Sequence, residues 1–194
     1  MSPRYQITWS TPAGGLLALE PHAEEVARHA GALVAAYNDP HNAPLLGHTE
    51  PMTADDVTAH YASVASDGGT NFLVFRDGAL VADADLRHVG NAAAEIAFMV
   101  ADPAAQGQGL GTKIATMVTA FAFSQLGLER VYASIIPSNT ASRRVFAKLG
   151  YVVDDGAAAR GYADDPDDIV VMIERPSFTS AHAVALAQIR IAMR

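Results

Sequence analysis

Cysteine is missing from the 194-residue chain. That excludes disulfide scaffolds, thiolate nucleophiles and cysteine zinc sites, and it makes a cytoplasmic setting the expectation. Lysine is nearly missing too: Lys113 and Lys148 are its two occurrences, and the formal net charge is −8. Duplex nucleic acid is gripped mainly through its phosphates, so a nucleic-acid partner calls for a basic face that this balance does not supply. Long apolar runs are absent. The richest stretch, 114–123, stops well short of a membrane span, and "MSPRYQITWS" has no basic flank leading into a continuous apolar segment. Neither membrane association nor a secretory leader is expected. Repeats and low-complexity linkers are lacking. "HNAPLLGH" (41–48) places His41 and His48 seven residues apart in a loop without fixed geometry, so no metal site is expected.

What remains is a chain that is 50% hydrophobic, enough to bury one core in one domain. "RYQITWS" and "GLLALEP" read as short strands or an extended arm. Over 23–37, Val26, Ala30, Leu33, Val34 and Tyr37 form an apolar stripe at helical spacing. Thr53, with Asp55 and Asp56 behind it, marks a second helix start. "NFLVFR" and "ALVADADLRHV" flank an Asp77–Gly78 hairpin turn, and "AEIAFMV" adds a third strand. Leu110, Ile114, Met117, Val118 and Phe121 then follow helical periodicity to about Leu126. "RVYASII" reads as a strand and 139–150 as a short helix from Asn139 to Gly150. "YVVDD" and "DIVVMIE" read as strands around a flexible loop, and a last helix is expected over roughly 180–193. This order predicts a mixed α/β sheet, antiparallel at first and with crossovers later.

The densest signal is "AAQGQGLGTK", residues 104–113. A Walker loop requires lysine directly after its last glycine, whereas Thr112 stands between Gly111 and Lys113. A Rossmann fingerprint requires G-x-G-x-x-G inside a parallel βαβ unit, whereas the spacing here is G-x-G-x-G after a meander. The spacing that fits is Q-x-x-G-x-G: Gln106, Gly109 and Gly111. Glycines there let backbone N–H groups converge at the positive end of a helix, which suits an anion. Taken alone, the same turn would also serve as a plain strand-to-helix connection.

Together with "N-x-x-S-x-x-x-F-x-K-x-G-Y" at 139–151, the segment from "AEIAFMV" to Tyr151 resembles the GNAT superfamily of N-acetyltransferases over about 60 residues. The resemblance implies a mixed sheet of about seven strands, splayed in the middle and flanked by helices, with acetyl-CoA as co-substrate in the splay. It implies one domain over 1–194. Residues 1–70 would form N-terminal helices and the acceptor side, 71–151 the hairpin and coenzyme core, and 152–194 the last strands and an extra helix. The backbone of Phe98, Met99 and Val100 would pair with the pantetheine arm. The N–H groups of Gln106, Gly107, Gln108, Gly109, Leu110, Gly111 and Thr112 would wrap the pyrophosphate. Asn139 would bond near the thioester, Phe146 would pack on the coenzyme, and Ser142, Arg143, Arg144 and Lys148 would lie toward its phosphates. The acceptor would be the amine of a small molecule or of a protein, attacking directly. The final helix, through Val184, Leu186, Ile189 and Ile191, would cover the sheet or pair with a second subunit as a homodimer.

Acetyl transfer to an amine needs a proton acceptor and a path for the thiol proton. Glu95, flanked by apolar residues on "AEIAFMV", is the first base to test; pairing with Arg87 is its structural alternative. Asp83, Asp85 and Arg87 share one strand face, which would bind a cationic amine or relay its proton if it faced the site and otherwise reads as solvated. His41, His48 and His88 are candidate site residues whose plainer reading is surface or turn histidines. Many relatives carry a tyrosine acid where this chain has Phe146, which leaves Ser142 or Tyr151 as candidate acids. The missing phenol also keeps a non-catalytic acyl-CoA-binding sensor as the alternative.

Overall fold

A computed structural model describes residues 4–11, 14–47, 49–101 and 103–194. The strands are β1 (Tyr5–Thr11), β2 (Gly14–Leu19), β3 (Thr70–Arg76), β4 (Ala79–Gly90), β5 (Ala93–Val100), β6 (Arg130–Ile135), β7 (Val152–Val153), β8 (Ile169–Glu174) and β9 (Ile189–Met193). They form one sheet in the order β7-β8-β6-β5-β4-β3-β2-β1-β9. Every pairing is antiparallel except β5 with β6.

Helices cover both faces because the strands alternate. On one side α1 (Ala23–Tyr37) and α2 (Ala54–Ser66) bury Leu33 and Val57 with Leu73 of β3 and Met99 of β5. On the other, α3 (Leu110–Ser124) buries its apolar face against Phe72, Val74, Ala84 and Ile96. Phe121 is wholly buried there, its ring edge-on to Tyr5 and Phe72 at 5.1 Å each. Such a side chain contributes about 1.5–3 kcal/mol through removal from water. The expected start of α2 is a capping box: Thr53 Oγ1 accepts from Asp56 N at 3.2 Å and Asp56 Oδ2 accepts from Thr53 N at 2.8 Å. Helix α4 (Thr140–Leu149) is capped by Asn139 and ends at Gly150. Among the described residues no helix is long and apolar enough to cross a membrane.

The strand count and the C-terminus differ from expectation. There are nine described strands rather than about seven, and 180–193 is not a helix. The chain forms α6 (Arg175–Ala181), turns at His182, forms α7 (Ala183–Leu186) and ends in β9. His182 Nε2 lies 2.9 Å from the Leu149 carbonyl, and Trp9 Nε1 donates to Gln188 Oε1 at 3.1 Å. Beyond that point β1 offers an open edge: Ile191 pairs with Ile7 and Ile189 with Trp9. Pairing that edge satisfies backbone groups that a helix would leave exposed on β1. The isoleucines expected in a last helix are thus alternate residues of a strand.

Two irregularities set up the functional region. The sheet parts between β5 and β6: Ala93, Ala94 and Glu95 pair with Arg130, Val131 and Tyr132, and the strands then diverge. A register shift near the end of β4 puts His88 at φ 52°. Consecutive residues Arg87 and His88 thereby reach the same carboxylate, which a regular strand would forbid.

Candidate active site

Where β5 and β6 part, a cleft of about 690 Å³ opens, lined by Ile96 to Val100 on one side and Ser134 to Pro137 on the other. That volume is in the range of small-molecule and cofactor sites. The glycine turn forms one end. Gly107 and Gly109 sit at φ 74° and 79°, a region open chiefly to glycine. Gly111 is required for a different reason: a Cβ there would stand 3.1 Å from Phe98 Cε2. The first i→i−4 bond of α3 is Lys113 N to Gly109 O, so the amides of Leu110, Gly111 and Thr112 lie ahead of it at the positive helix end.

The turn is braced by its own signature residue. Gln106 Nε2 donates to Asn42 Oδ1 at 2.9 Å, and His41 Nε2 lies 3.1 Å from Gln106 Oε1. Asn42 is 3% exposed and donates in turn to the Ala36 carbonyl. Gln106 therefore ties the turn to the segment after α1. Asn139 is similarly engaged: Oδ1 accepts from Ser142 N at 3.0 Å and Nδ2 donates to the Leu45 carbonyl at 3.1 Å. Its side chain positions the start of α4 and also lines the cleft. Ser142 and Phe146 line the cleft, and the Phe146 ring lies 5.8 Å from Phe98. Gln108, Arg143, Arg144 and Lys148 are exposed, and Leu110 is turned into the core. Of the expected coenzyme residues, Phe98, Met99, Val100, Gln106, Gly107, Gly111, Asn139, Ser142 and Phe146 line the cleft, with the α4 cations outside it.

Tyr151 is elsewhere. It is 6% exposed, packs on Phe146, and shares a 2.8 Å hydrogen bond with Thr119; burial raises its pKa. As a candidate acid it fails on position, since it does not reach the cleft. Glu95 also fails on position. It is 0% exposed, and its oxygens accept from Arg87 NH2 at 2.8 Å and Arg87 Nε at 3.1 Å. His88 Nδ1 is 3.0 Å away. Burial raises the Glu95 pKa, and the hydrogen bonds and charge of Arg87 oppose the rise. Glu95 is the structural alternative realised: it holds Arg87, and Arg87 faces the cleft. His41 and His88 are exposed as expected, and His48 lies outside the described residues.

The face read as solvated is covered. Helices α1 and α2 lie over it, leaving Asp83 and Asp85 only 5% and 8% exposed, both at the cleft wall. Asp83 Oδ2 accepts from the Tyr37 hydroxyl and, at 3.1 Å, from the Tyr61 hydroxyl. Burial chiefly pushes its pKa up to about 6, the charge of Asp85 adds to this, and the two tyrosines and His60 work against it. His60 Nε2 is 3.2 Å from Asp85 Oδ2, a hydrogen bond that raises the His60 pKa. Arg87 also binds Asp164, pinning the 155–167 loop beside the cleft, and Tyr162 of that loop stacks on Tyr132 at 4.3 Å. The loop expected to be flexible is therefore anchored. Tyr37, His60 and Tyr61 escaped the sequence reading because they look like ordinary helix residues. Two aspartates inside the apolar run "ALVADADL" were the available signal. Among the described residues no group of three or more metal-ligating side chains is assembled.

The profile of the acetyltransferase (GNAT) domain matches residues 17–152, well over half of the chain. A probable N-acetyltransferase, YjcK of Bacillus subtilis, is 29% identical over 99 residues, covering 49% of this chain. The chain spans about half the length of that curated relative, 55%. Mycobacterium smegmatis RimJ, solved in complex with CoA-disulfide, superposes with a TM-score of 0.72 at 20% identity, covering 98% of this chain and 99% of that one. The aminoglycoside acetyltransferase AAC(6')-Ib, solved with coenzyme A, gives 0.69 at 17% identity over 92% of this chain and 99% of its own. At these identities the structures attest the fold: a mixed sheet flanked by helices.

Proposed function

The chain belongs to the GNAT acetyltransferase family, and from that premise we propose that it transfers an acetyl group from acetyl-CoA to an amine by direct attack of the amine on the thioester. The observation that carries this is the parting of β5 from β6 next to the glycine turn. Past Glu95, β5 has no partner on that side among the described residues, so backbone groups of Phe98, Met99 and Val100 can pair with an extended amide-bearing arm. The amides around Gly107–Thr112 would receive the pyrophosphate, and Gly111 lets α3 lie close against Phe98 and Val145 beside it. Arg143, Arg144 and Lys148, exposed on α4, suit phosphates that project out of the cleft. Acetyl-CoA supplies the activated acyl group. The Ser142 hydroxyl is the protein donor proposed for the departing thiolate, which, as the anion of a thiol far more acidic than water, is a tolerable leaving group by itself.

The acceptor side is acidic. Asp83, Asp85, Asp164, Asp165, Asp167 and Asp168 line the cleft against Arg87 and His60. A cationic amine of a small molecule or a protein segment fits that lining, and AAC(6')-Ib is by name an acetyltransferase for such cations, the aminoglycosides. A non-catalytic acyl-CoA sensor is favoured by one observation, Phe146 in the cleft without a phenol.

Thermal shift tests the coenzyme site. At a hundredfold excess over Kd a ligand of the native state adds about 2.7 kcal/mol. For a chain of this size that raises Tm by roughly 5–10 °C. CoA and acetyl-CoA should do this, whereas ATP and NAD should not; no shift with CoA would remove both the enzyme and the sensor.

A further inference from the structure

We propose that Asp83 is the catalytic base: its carboxylate, clamped by the Tyr37 and Tyr61 hydroxyls and seated in the cleft wall, takes the proton of the attacking amine while Asp85 beside it holds the acceptor's charge. This rests on the acetyl-transfer function proposed above.

A base must face the cleft and be available to a substrate. Glu95 is sealed behind Arg87. Asp164 is bound to Arg87, and Asp168 Oδ2 accepts from Ser134 Oγ at 2.7 Å. Asp165 and Asp167 are exposed on the loop. His60 is engaged with Asp85. Asp83 differs from all of these. Both tyrosine bonds fall on its Oδ2, so Oδ1 is the oxygen left to accept from a substrate. Its position is also right. In the β4–β5 register Asp83 stands opposite Met99 and Asp85 opposite Ala97, the part of β5 that has lost β6. The carboxylates thus flank the stretch on which the acyl-bearing arm would lie.

A second observation points to a cationic guest. Asp85 Oδ1 is buried and has no hydrogen-bond donor, and Arg87 Nε stands 4.0 Å away. A buried carboxylate oxygen without a donor is costly. An ammonium group entering beside it would offset that cost. The groups facing Asp83 are Tyr37 from α1, His60 and Tyr61 from α2, and Asp85 and Arg87 on its own strand. Its cross-strand neighbours are Leu73 on β3 and Met99 on β5, which do not titrate. Burial and the charge of Asp85 outweigh the tyrosines and His60 and bring Asp83 to about 6, so it is ionised and basic near neutrality.

The step balances as follows. The amine nitrogen's lone pair forms a bond to the acetyl carbon, and the carbon–sulfur bond breaks with its electron pair going to sulfur. An acceptor that arrives as an ammonium gives one proton to solvent to free the lone pair. The neutral amine then gives one proton to Asp83 and on to solvent, and the thiolate takes a proton from water, directly or through the Ser142 hydroxyl, which water reprotonates. The products are the amide and free CoA.

The test uses the full chain with acetyl-CoA and the best amine of a panel. In Asp83→Asn, kcat should fall about 10²–10⁴-fold, with the KM for acetyl-CoA little changed. The wild-type kcat/KM should decline below about pH 6, and Tyr37→Phe should move that limb upward, because removing a donor to the carboxylate raises its pKa. A readout independent of turnover is the carboxyl ¹³C titration of the ligand-free protein. One aspartate should titrate near 6, vanish in Asp83→Asn and move up in Tyr37→Phe. If Asp83→Asn turns over normally with the same acid limb, or if Tyr37→Phe leaves the limb in place, the assignment falls while acetyl transfer stands. If the wild type binds CoA yet acetylates no amine, acetyl transfer and the base fall together.

Discussion

Replacing Asp83 by Asn should make the protein less active and, above pH 6, more stable. The carboxyl titrates at about 6 in the fold against 3.8 for an ordinary aspartate. The gap of about two units, at 1.36 kcal/mol each, amounts to about 3 kcal/mol. The sign follows from proton counting. Between pH 4 and 6 the folded chain keeps this proton and the unfolded chain releases it. The stabilising contribution of the protonated group is therefore complete below about pH 4 and lost as pH rises through about 6. Asparagine stays neutral throughout and still offers an oxygen to Tyr37 and Tyr61. The stability of Asp83→Asn relative to wild type should thus grow by up to about 3 kcal/mol from pH 4 to pH 7, or roughly 6–12 °C in Tm. Urea melts at several pH values, followed by circular dichroism, give the difference directly. Groups not coupled to Asp83, Glu95 among them, are common to both proteins and cancel, and the His60 contribution, which the Asp83 charge alters, is removed by repeating the pair in a His60→Gln background. A difference that does not change with pH would refute the reasoning: Asp83 would then carry no strained charge. The expected opposition of stability and activity is what a functional site under electrostatic strain should show.

Three further substitutions separate roles within the cleft. Gly111→Ala would push its Cβ to 3.1 Å from Phe98 Cε2 and 3.5 Å from Val145 Cγ2, displacing Phe98 toward the coenzyme. Calorimetry should find acetyl-CoA affinity reduced about tenfold, a cost of about 1.4 kcal/mol, and unchanged affinity would argue against a coenzyme at this turn. Glu95→Gln removes the buried partner of Arg87 and should cost about 3 kcal/mol in urea melts, while the acid limb of kcat/KM stays where it was; loss of that limb would return the base role to Glu95. Tyr151→Phe deletes the 2.8 Å bond to Thr119 and should cost about 1 kcal/mol of stability, with kcat within about twofold of wild type. A much larger drop in kcat would restore Tyr151 as proton donor.

The parts of the molecule legible in the sequence are those fixed by local chemistry. The capping residues of α2, the Asp77–Gly78 turn and the glycines at 107, 109 and 111 each meet a requirement set within a few residues. What escaped depends on partners far along the chain. Ile189 and Ile191 are two apart, the period of a strand face, but the partner that makes them a strand is the free edge of β1, more than 170 residues earlier. Asp83, Asp85 and Arg87 alternate as a solvated face should, and only the docking of α1 and α2 buries the two acids. Glu95 was noticed as a carboxylate in an apolar strand, but whether such a group serves chemistry or an ion pair depends on the bulge that brings both Arg87 and His88 to it. Phe146 was legible as a departure from the family pattern, and its place in the cleft follows from α4 packing over the glycine turn.

The absence of cysteine makes the most direct measurement a clean one, because CoA released by turnover is the sole thiol in the reaction. The protein is mixed with acetyl-CoA and a panel of cationic amines, and free thiol is followed with a thiol-reactive dye. Amine-dependent release, one thiol for each acetyl group found on the amine, is the predicted result. Thiol release that never depends on an amine, in a protein that CoA nonetheless stabilises, would contradict acetyl transfer and leave an acyl-CoA-binding module in its place.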